Sequence, residues 1–133
     1  SAGMTKEELQ LPRKLLIVDD SKVSRMRIRA FFGAHCPRWT IQEAGSGDEA
    51  IVMAAGEPPD FATMDVNMPG MSGFETAQLM LVRNPEIRIV MLTANIQEGS
   101  RKAAESLQIR FVAKPATEAS LQLALDYMLE PHD

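Results

Sequence analysis

The alternation of five short apolar segments with five segments of helical spacing constrains the fold more than any other feature of this chain. The apolar segments are KLLIVDD (14–20), WTIQEA (39–44), FATMDV (61–66), IRIVMLTA (87–94) and IRFVAK (109–114). Unbroken apolar runs at 15–18 and 89–92 are typical of central parallel strands that are covered on both faces. The second segment alternates more, as a less buried strand does. Because the connections between segments are short, the pattern predicts an α/β fold: a single, doubly wound (βα)5 domain with a parallel sheet.

The segments between the strands have the spacing of amphipathic helices. The predicted helices span 21–34, 47–56, 73–83, 97–107 and 118–130. The first opens with Ser21, a favourable N-cap, and its predicted inner face consists of Val23, Met26, Ala30 and Phe31. We expect residues 1–13 to be a cloning remnant and an N-terminal extension, with Met4 as the native start. The domain then covers 14–130, and 131–133 form a tail.

The composition excludes several classes of protein. The chain has 133 residues with 14 basic and 18 acidic side chains, and this net charge of −4 is unfavourable for unaided binding of nucleic acid. The single cysteine, Cys36, cannot form an internal disulfide, which favours a reducing compartment. No apolar run approaches the ~18 residues of a membrane span, and no secretory leader is evident. We therefore expect a cytoplasmic protein without membrane contact.

Polar residues follow the apolar interiors of four strands. Asp19 and Asp20 end the first strand, Asp65 the third, Thr93 the fourth and Lys114 the fifth. The carboxyl ends of parallel strands lie at one edge of an open sheet, where ligands bind. If strands one and three are neighbours, three carboxylates converge at this edge.

Converging carboxylates require compensating positive charge. Two unit charges ~4 Å apart repel by about 4 kcal/mol at an effective dielectric constant near 20. Lys114 supplies one positive charge, and a hard divalent cation such as Mg²⁺ supplies two more through oxygen ligands. The cluster therefore predicts a Mg²⁺ site with open coordination positions.

One carboxylate of such a site could act as a nucleophile. An aspartate that is already ionised can accept a phosphoryl group without a general base. Mg²⁺, the Lys114 ammonium and the Thr93 hydroxyl could then each bind one of the three phosphoryl oxygens. Taken singly, Asp65 before a Pro-Gly turn is an ordinary turn residue and an aspartate before a helix is an ordinary cap. Chance rarely places acid, acid, hydroxyl and ammonium at the ends of four of the five strands.

Four motifs resemble the receiver domains of bacterial two-component response regulators. They are IVDDS (17–21), MDVNMPGMSG (64–73), LTAN (92–95) and FVAKP (111–115), and the resemblance runs from Lys14 to Glu130 in the expected order. It implies a flavodoxin-like sheet with the strand order 2-1-3-4-5. It also implies a phosphorelay protein that works as a switch and turns over no separate substrate.

The resemblance assigns roles to individual residues. Asp65 is implied to be the phosphoacceptor and, with Asp20, a direct Mg²⁺ ligand. The metal set also includes the backbone carbonyl of Asn67, and Asp19 acts through water. Lys114 is implied to pair with Asp65 at rest and with the phosphoryl group afterwards, across a cis peptide bond to Pro115.

The implied switch pair is Thr93 and Phe111. Thr93 moves toward the phosphate, and Phe111 turns inward when it does. Phe111 stands where many members carry tyrosine, and Thr63 stands where an aliphatic residue is usual. Trp39, the only tryptophan, begins strand two, so phosphorylation is expected to leave tryptophan fluorescence almost unchanged.

The implied partners are a phosphohistidine donor and an output protein or domain. The donor is a sensor histidine kinase or a histidine phosphotransfer domain, which docks near the first helix of the domain, where Arg25 and Arg29 share a face. Output is implied to pass through the fourth helix (97–107), the fifth strand and the fifth helix. The sequence identifies neither the kinase nor the pathway.

Two other functions stay open at this stage. A small aspartyl-phosphate phosphatase of the haloacid dehalogenase type also uses a strand-end aspartate, but it requires a second aspartate two residues on, where this chain has Asn67. A degenerate receiver that only binds a partner is disfavoured by the complete set of acids, Thr93 and Lys114. The chain is expected to be either a stand-alone receiver, which we favour, or the first part of a longer regulator.

Overall fold

The computed structural model describes residues 6–96 and 108–131. In chain order the elements are α1 (Lys6–Gln10), β1 (Lys14–Val18), α2 (Lys22–His35), β2 (Thr40–Ala44), α3 (Gly47–Gly56), β3 (Phe61–Asp65), α4 (Gly73–Arg83), β4 (Arg88–Thr93), β5 (Ile109–Ala113) and α5 (Glu118–Met128). The five predicted strands are confirmed, as are four predicted helices, with ends that differ by two residues at most. The predicted helix at 97–107 lies outside the described residues. The sequence analysis did not predict α1.

The five strands form one parallel sheet in the order β2-β1-β3-β4-β5. This confirms the predicted flavodoxin-like, doubly wound α/β fold. In the register of the sheet, Val18 at the end of β1 pairs with Ala44 on one side and with Met64 on the other. Strands β1 and β3 are therefore neighbours, and the residues that follow their carboxyl ends meet at one edge.

Apolar side chains fill both faces of the sheet. On one face Ile17, Leu92 and Leu125 belong to the core beneath α2 and α5, and Leu9 of α1 packs against this core. On the other face Met64 and Met91 belong to the core beneath α3 and α4. The central strands β3 and β4 are buried along their whole length, whereas the edge strand β2 is only partly buried, as its alternating sequence predicts. The sheet is thus a rigid platform for the residues at its edge.

The predicted inner face of α2 was largely wrong. Val23 and Met26 are 60% and 57% exposed, and the buried residues of the helix are Ile28, Phe31 and Phe32. Phe32 stacks on Trp39 with ring centroids 5.7 Å apart, so the largest side chains fix the rotation of the helix. Met26 precedes Ile28 by two residues, about 200° around the helix axis, and therefore points away from the core.

The structure places Cys36 in the core as a free, buried thiol. Burial raises the pKa of this thiol to about 12, so it is neutral at physiological pH. Within 6–96 and 108–131, none of the helices has the length and apolar character that a membrane crossing requires.

Candidate functional site

Three carboxylates meet at the carboxyl ends of β1 and β3. One oxygen from each of Asp19, Asp20 and Asp65 lies within 4.8 Å of the others. Asp19 and Asp65 are 2% and 3% exposed, whereas Asp20 is exposed to solvent. The predicted convergence of the three acids is therefore present, and their oxygen atoms suit a hard divalent cation.

The carboxylate of Asp19 is held by the start of α2. Its Oδ1 accepts a hydrogen bond of 2.8 Å from the Ser21 backbone N–H, and its Oδ2 accepts one of 2.6 Å from the Ser24 hydroxyl. Ser21 in turn caps the helix by accepting from the Ser24 N–H. Asp20 makes no hydrogen bond through its carboxylate to the part of the chain that the structure describes. The Asp20 carboxylate is thus more open to solvent than that of Asp19. The sequence analysis missed the contribution of Ser24.

Asp65 is paired with Lys114, the lysine that the sequence analysis predicted at this edge. Its Oδ1 lies 2.5 Å from Lys114 Nζ and accepts a hydrogen bond of 3.2 Å from the Asn67 N–H. Burial raises the pKa of the Asp65 carboxyl, the hydrogen bond from Lys114 opposes this rise, and the charge of Asp19 adds to it. The nucleophile candidate is therefore a buried carboxylate whose charge is only partly compensated within the protein.

The turn after β3 fixes the backbone of Asp65. Gly73, the first residue of α4, donates its N–H to the Val66 carbonyl at 3.1 Å. A Cβ atom at Gly73 would lie 2.2 Å from the Asp65 carbonyl oxygen, so only glycine allows the helix to approach this closely. Ser72 and Glu75 form a capping box at the start of α4. Two residues of the turn, Ser72 and Gly73, are therefore explained by structure alone: Ser72 caps α4, and Gly73 allows its close approach to Asp65.

Thr93 and Lys114 lie side by side at the ends of β4 and β5. The Lys114 N–H donates to the Thr93 carbonyl at 2.9 Å, and Asp65 is paired in register with Leu92, the residue before Thr93. The Thr93 hydroxyl accepts a hydrogen bond of 3.1 Å from the Asn95 N–H. The predicted cis peptide bond between Lys114 and Pro115 is confirmed. The structure thus brings both residues to the edge that carries the three acids.

Phe111 lies on the opposite face of the sheet from α2. It is half-buried, and its ring centroid is 5.8 Å from that of Phe74 in the first turn of α4. Its register partner is Met91, two residues before Thr93. Phe111 is therefore close in the sheet to Thr93 and joined by packing to the helix that follows the Asp65 turn.

A cavity of about 560 Å³ opens over the acidic cluster. Its lining includes Asp20, Asp65 and Lys114 together with Val23 and Arg27 of α2. A concave site with convergent polar groups is the usual form of a binding site for a small group such as phosphate. Val23, exposed where the sequence predicted burial, contributes to the wall of this cavity.

Arg25 and Arg29 are engaged within the protein. Both donate to Glu43 of β2, with Nε–Oε distances of 3.0 and 2.6 Å, and Arg25 Nη1 also donates to the Asp19 carbonyl at 2.7 Å. The hydrogen bond from Arg29 is the main cause of a lowered pKa of the Glu43 carboxyl. The sequence analysis considered these arginines only as a surface, because it had no means of pairing them with strand β2.

Comparison with known proteins agrees with the motifs. The sequence profile of the response regulator receiver domain matches residues 15–126. A protein-glutamate methylesterase/protein-glutamine glutaminase from Geobacillus kaustophilus is 37% identical over 83% of this chain. The transcriptional activator protein ExaE from Pseudomonas putida is 31% identical over 89% of this chain. The chain spans 32% of the length of the first relative and 56% of the second.

Solved structures show the same fold. The chemotaxis protein CheY4 of Vibrio cholerae superposes with a TM-score of 0.78 at 26% identity, over 90% of this chain and 100% of that one. A two-component transcriptional regulator AraC from Clostridium phytofermentans gives a TM-score of 0.74 at 27% identity, over 88% of this chain and 91% of that one. These two structures therefore share the fold of this chain over most of its length.

Proposed function

The chain belongs to the response regulator receiver domain family, and on that premise we propose that it is a switch that accepts a phosphoryl group on Asp65. The observation that supports this most is the contact between Lys114 Nζ and Asp65 Oδ1 inside a cluster of three carboxylates. In this geometry Lys114 opposes the rise in pKa that burial imposes on the Asp65 carboxyl, and it places a cation where phosphoryl charge would develop. Phosphoryl transfer depends mainly on such alignment and charge compensation.

The proposed reaction is transfer from a phosphohistidine. The phosphorus–nitrogen bond of the donor breaks and a bond forms between phosphorus and a carboxylate oxygen of Asp65. The imidazole keeps the electron pair of the broken bond, takes up one proton from solvent and leaves as a neutral ring. Lys114 is proposed to move from Asp65 to a phosphoryl oxygen, and the Thr93 hydroxyl to donate to a second one. Thr93 would then reorient from its contact with Asn95, which couples phosphorylation to the end of β4.

Mg²⁺ is the proposed cofactor. The donor set fits, since the site offers carboxylate oxygens from Asp20 and Asp65 and a turn that can present the Asn67 carbonyl, with Asp19 linked through water. When bound, the ion supplies positive charge to the third phosphoryl oxygen. Asp19 keeps the start of α2 in place through Ser21 and Ser24, which is compatible with an indirect role.

The proposed partners are a donor and an output protein or domain. A sensor histidine kinase or a histidine phosphotransfer domain would approach the cavity from the rim formed by Val23 and Arg27. The switch aromatic, Phe111, would carry the movement of Thr93 to an output surface made by 97–107, β5 and α5. We propose a cytoplasmic location, no direct contact with nucleic acid or membrane, and no turnover of a separate substrate.

Mass spectrometry after incubation with acetyl phosphate and Mg²⁺ tests the proposal. We expect one phosphoryl adduct, which is lost in Asp65→Asn and retained in Asp48→Asn, an exposed aspartate in the first turn of α3. An unmodified protein, under conditions that modify a known receiver, would contradict the assignment. Steady release of phosphate from phosphomonoesters would instead support the phosphatase. That enzyme requires an acid–base aspartate at the position of Asn67, whose amide does not titrate.

A further inference from the structure

We propose that Arg25, braced by Glu43, is a positioning residue that holds the Asp19–Asp20 peptide in the orientation that divalent cation binding requires. The inference rests on the proposed function, because it concerns the same metal site. It adds a residue pair that lies outside the acids, Thr93 and Lys114. The pair connects the edge strand β2 to the metal-binding loop through α2.

The brace consists of two charge-assisted contacts made by one guanidinium group. Arg25 Nη1 donates to the Asp19 carbonyl at 2.7 Å, and Arg25 Nε donates to Glu43 Oε1 at 3.0 Å. The side chains of Arg25 and Glu43 are only 18% and 26% exposed. A planar guanidinium whose two edges are both engaged has little freedom, so the carbonyl it contacts is fixed relative to strand β2.

The contact with the Asp19 carbonyl completes the hydrogen bonding of that residue. The Asp19 N–H donates to the Ala44 carbonyl at 3.1 Å, and the carboxylate accepts from Ser21 and Ser24. Arg25 supplies the donor for the remaining polar atom, the carbonyl oxygen. Asp19 is therefore tied to β2 twice, directly through its amide and indirectly through Arg25 and Glu43.

Asp20 depends on this arrangement for its own position. Because the peptide unit is planar, an oriented Asp19 carbonyl also fixes the amide nitrogen and the Cα atom of Asp20. The Asp20 carboxylate is exposed and receives no hydrogen bond from residues 6–96 and 108–131. The position of the Asp20 carboxylate is therefore set by the backbone, and Arg25 holds that backbone through its hydrogen bond to the Asp19 carbonyl.

Arg29 provides a matched comparison within the same cluster. It donates to the other oxygen of Glu43 at 2.6 Å and to the Ile41 carbonyl at 3.0 Å, so it has the same partner and also contacts the backbone of β2. Arg29 does not contact Asp19. Removal of either arginine takes one ion pair from Glu43, but only removal of Arg25 releases the metal-binding loop.

The experiment compares Arg25→Ala and Arg29→Ala. Calorimetric titration with Mg²⁺, without a phosphodonor, is expected to show about tenfold weaker binding in Arg25→Ala, the low end for residues that orient metal ligands. Arg29→Ala is expected to bind within about twofold of the unmodified protein. Amide hydrogen exchange of the metal-free proteins is a second readout. The Asp19 amide should exchange faster in Arg25→Ala than in the unmodified protein, and Arg29→Ala should show no such change.

A double-mutant cycle tests the brace itself. Glu43→Gln should weaken Mg²⁺ binding in the unmodified protein and have a smaller effect once Arg25 is absent. Should Arg25→Ala fail to fold, Arg25→Lys retains the charge but lacks the fork that reaches Asp19 and Glu43 together, and it should also bind Mg²⁺ more weakly. Equal affinities of the Arg25 and Arg29 variants would overturn the inference. Absence of Mg²⁺ binding in the unmodified protein would instead contradict the proposed function.

Discussion

Lys114 Nζ lies 2.5 Å from Asp65 Oδ1, so the ends of β5 and β3, separated in the sheet by β4, are joined by an ion pair at the carboxyl edge. Burial raises the pKa of Asp65, and Lys114 acts against that rise. Lys114 is one third exposed, so its ammonium group can also turn toward solvent or toward an incoming anion. The pair is therefore suited to exchange one negative partner for another.

Replacement of Lys114 should slow phosphorylation and shift its pH dependence. In Lys114→Met the pKa of Asp65 rises further, so the reactive carboxylate is populated only at higher pH. We expect the rate of adduct formation with acetyl phosphate to fall about 10²-fold at pH 7, the effect typical of removing one donor to developing negative charge. Time-resolved mass spectrometry between pH 6 and 9 measures both effects.

Lys14→Met is the charge-matched control for that prediction. Lys14 is the first residue of β1, at the amino-terminal edge of the sheet and away from the acidic cluster, and it pairs with Glu57. This variant should retain the rate and the pH profile of the unmodified protein. Equal rates in the two variants would show that Lys114 has no specific role.

Neutralising Asp65 should stabilise the metal-free protein. The folded-state pKa of Asp65 lies above its ordinary value, so its ionised form opposes folding at pH 7, and this penalty disappears as the pH falls through that pKa. Since Lys114 can be hydrated without its partner, Asp65→Asn should raise the free energy of unfolding by about 1 kcal/mol at pH 7. Urea denaturation with EDTA at pH 7 and pH 4 measures the difference, which should shrink at the lower pH.

Mg²⁺ should reverse the order of stability of the unmodified protein and Asp65→Asn. A ligand that binds only the folded state stabilises it by mass action, so added Mg²⁺ should raise the midpoint of the unmodified protein but not that of Asp65→Asn. Asp48→Asn, which changes an exposed carboxylate, should gain no stability in EDTA. A loss of stability in Asp65→Asn at pH 7 would mean that the ion pair outweighs burial.

Thr63→Val should raise stability. Thr63 is 1% exposed in the middle of β3, and no hydrogen-bond partner for its hydroxyl is found among the described residues. A buried hydroxyl without a partner costs about 1–3 kcal/mol, and valine has nearly the same shape and suits a strand. We expect the free energy of unfolding in urea to rise by about 1 kcal/mol.

Thr76→Val is the matched control for this change. Thr76 is also fully buried, but its hydroxyl donates to the Ser72 carbonyl at 2.8 Å. Loss of that hydrogen bond should lower stability by about 1 kcal/mol. If Thr63→Val is destabilising as well, the Thr63 hydroxyl has a partner such as an internal water.

Phosphorylation of Asp65 should leave tryptophan fluorescence almost unchanged. Trp39 lies just before β2, at the amino-terminal edge of the sheet, where it packs on Phe32 and Phe61. The acidic cluster lies at the opposite edge, so the indole has no contact with the phosphoryl site. Fluorescence recorded beside mass spectrometry tests this, with a Trp39→Phe/Val66→Trp double variant as the responsive control. A strong quench that follows the adduct in the unmodified protein would contradict it.

Local patterns in the sequence were sufficient for the strands, for most helix ends and for the residues at the carboxyl edge. A strand buried on both faces requires a continuous apolar run, and a helix start favours a side chain that accepts a hydrogen bond from a backbone N–H. Leu15–Val18 could therefore be predicted as a strand and Ser21 as an N-cap. The strand order followed from a family resemblance, and the sheet confirms it. The residues at the carboxyl edge support the proposed chemistry, because parallel strands bring their carboxyl ends to one side of the sheet.

Tertiary packing decided what depends on partners distant in the sequence. The rotation of α2 follows from the stacking of Phe32 on Trp39, which outweighs the smaller side chains Val23 and Met26. The bonds of Arg25 to Glu43 and to the Asp19 carbonyl depend on the position of β2 beside β1. The sequence therefore determined which groups the site contains, whereas the packed structure decided how firmly each is held.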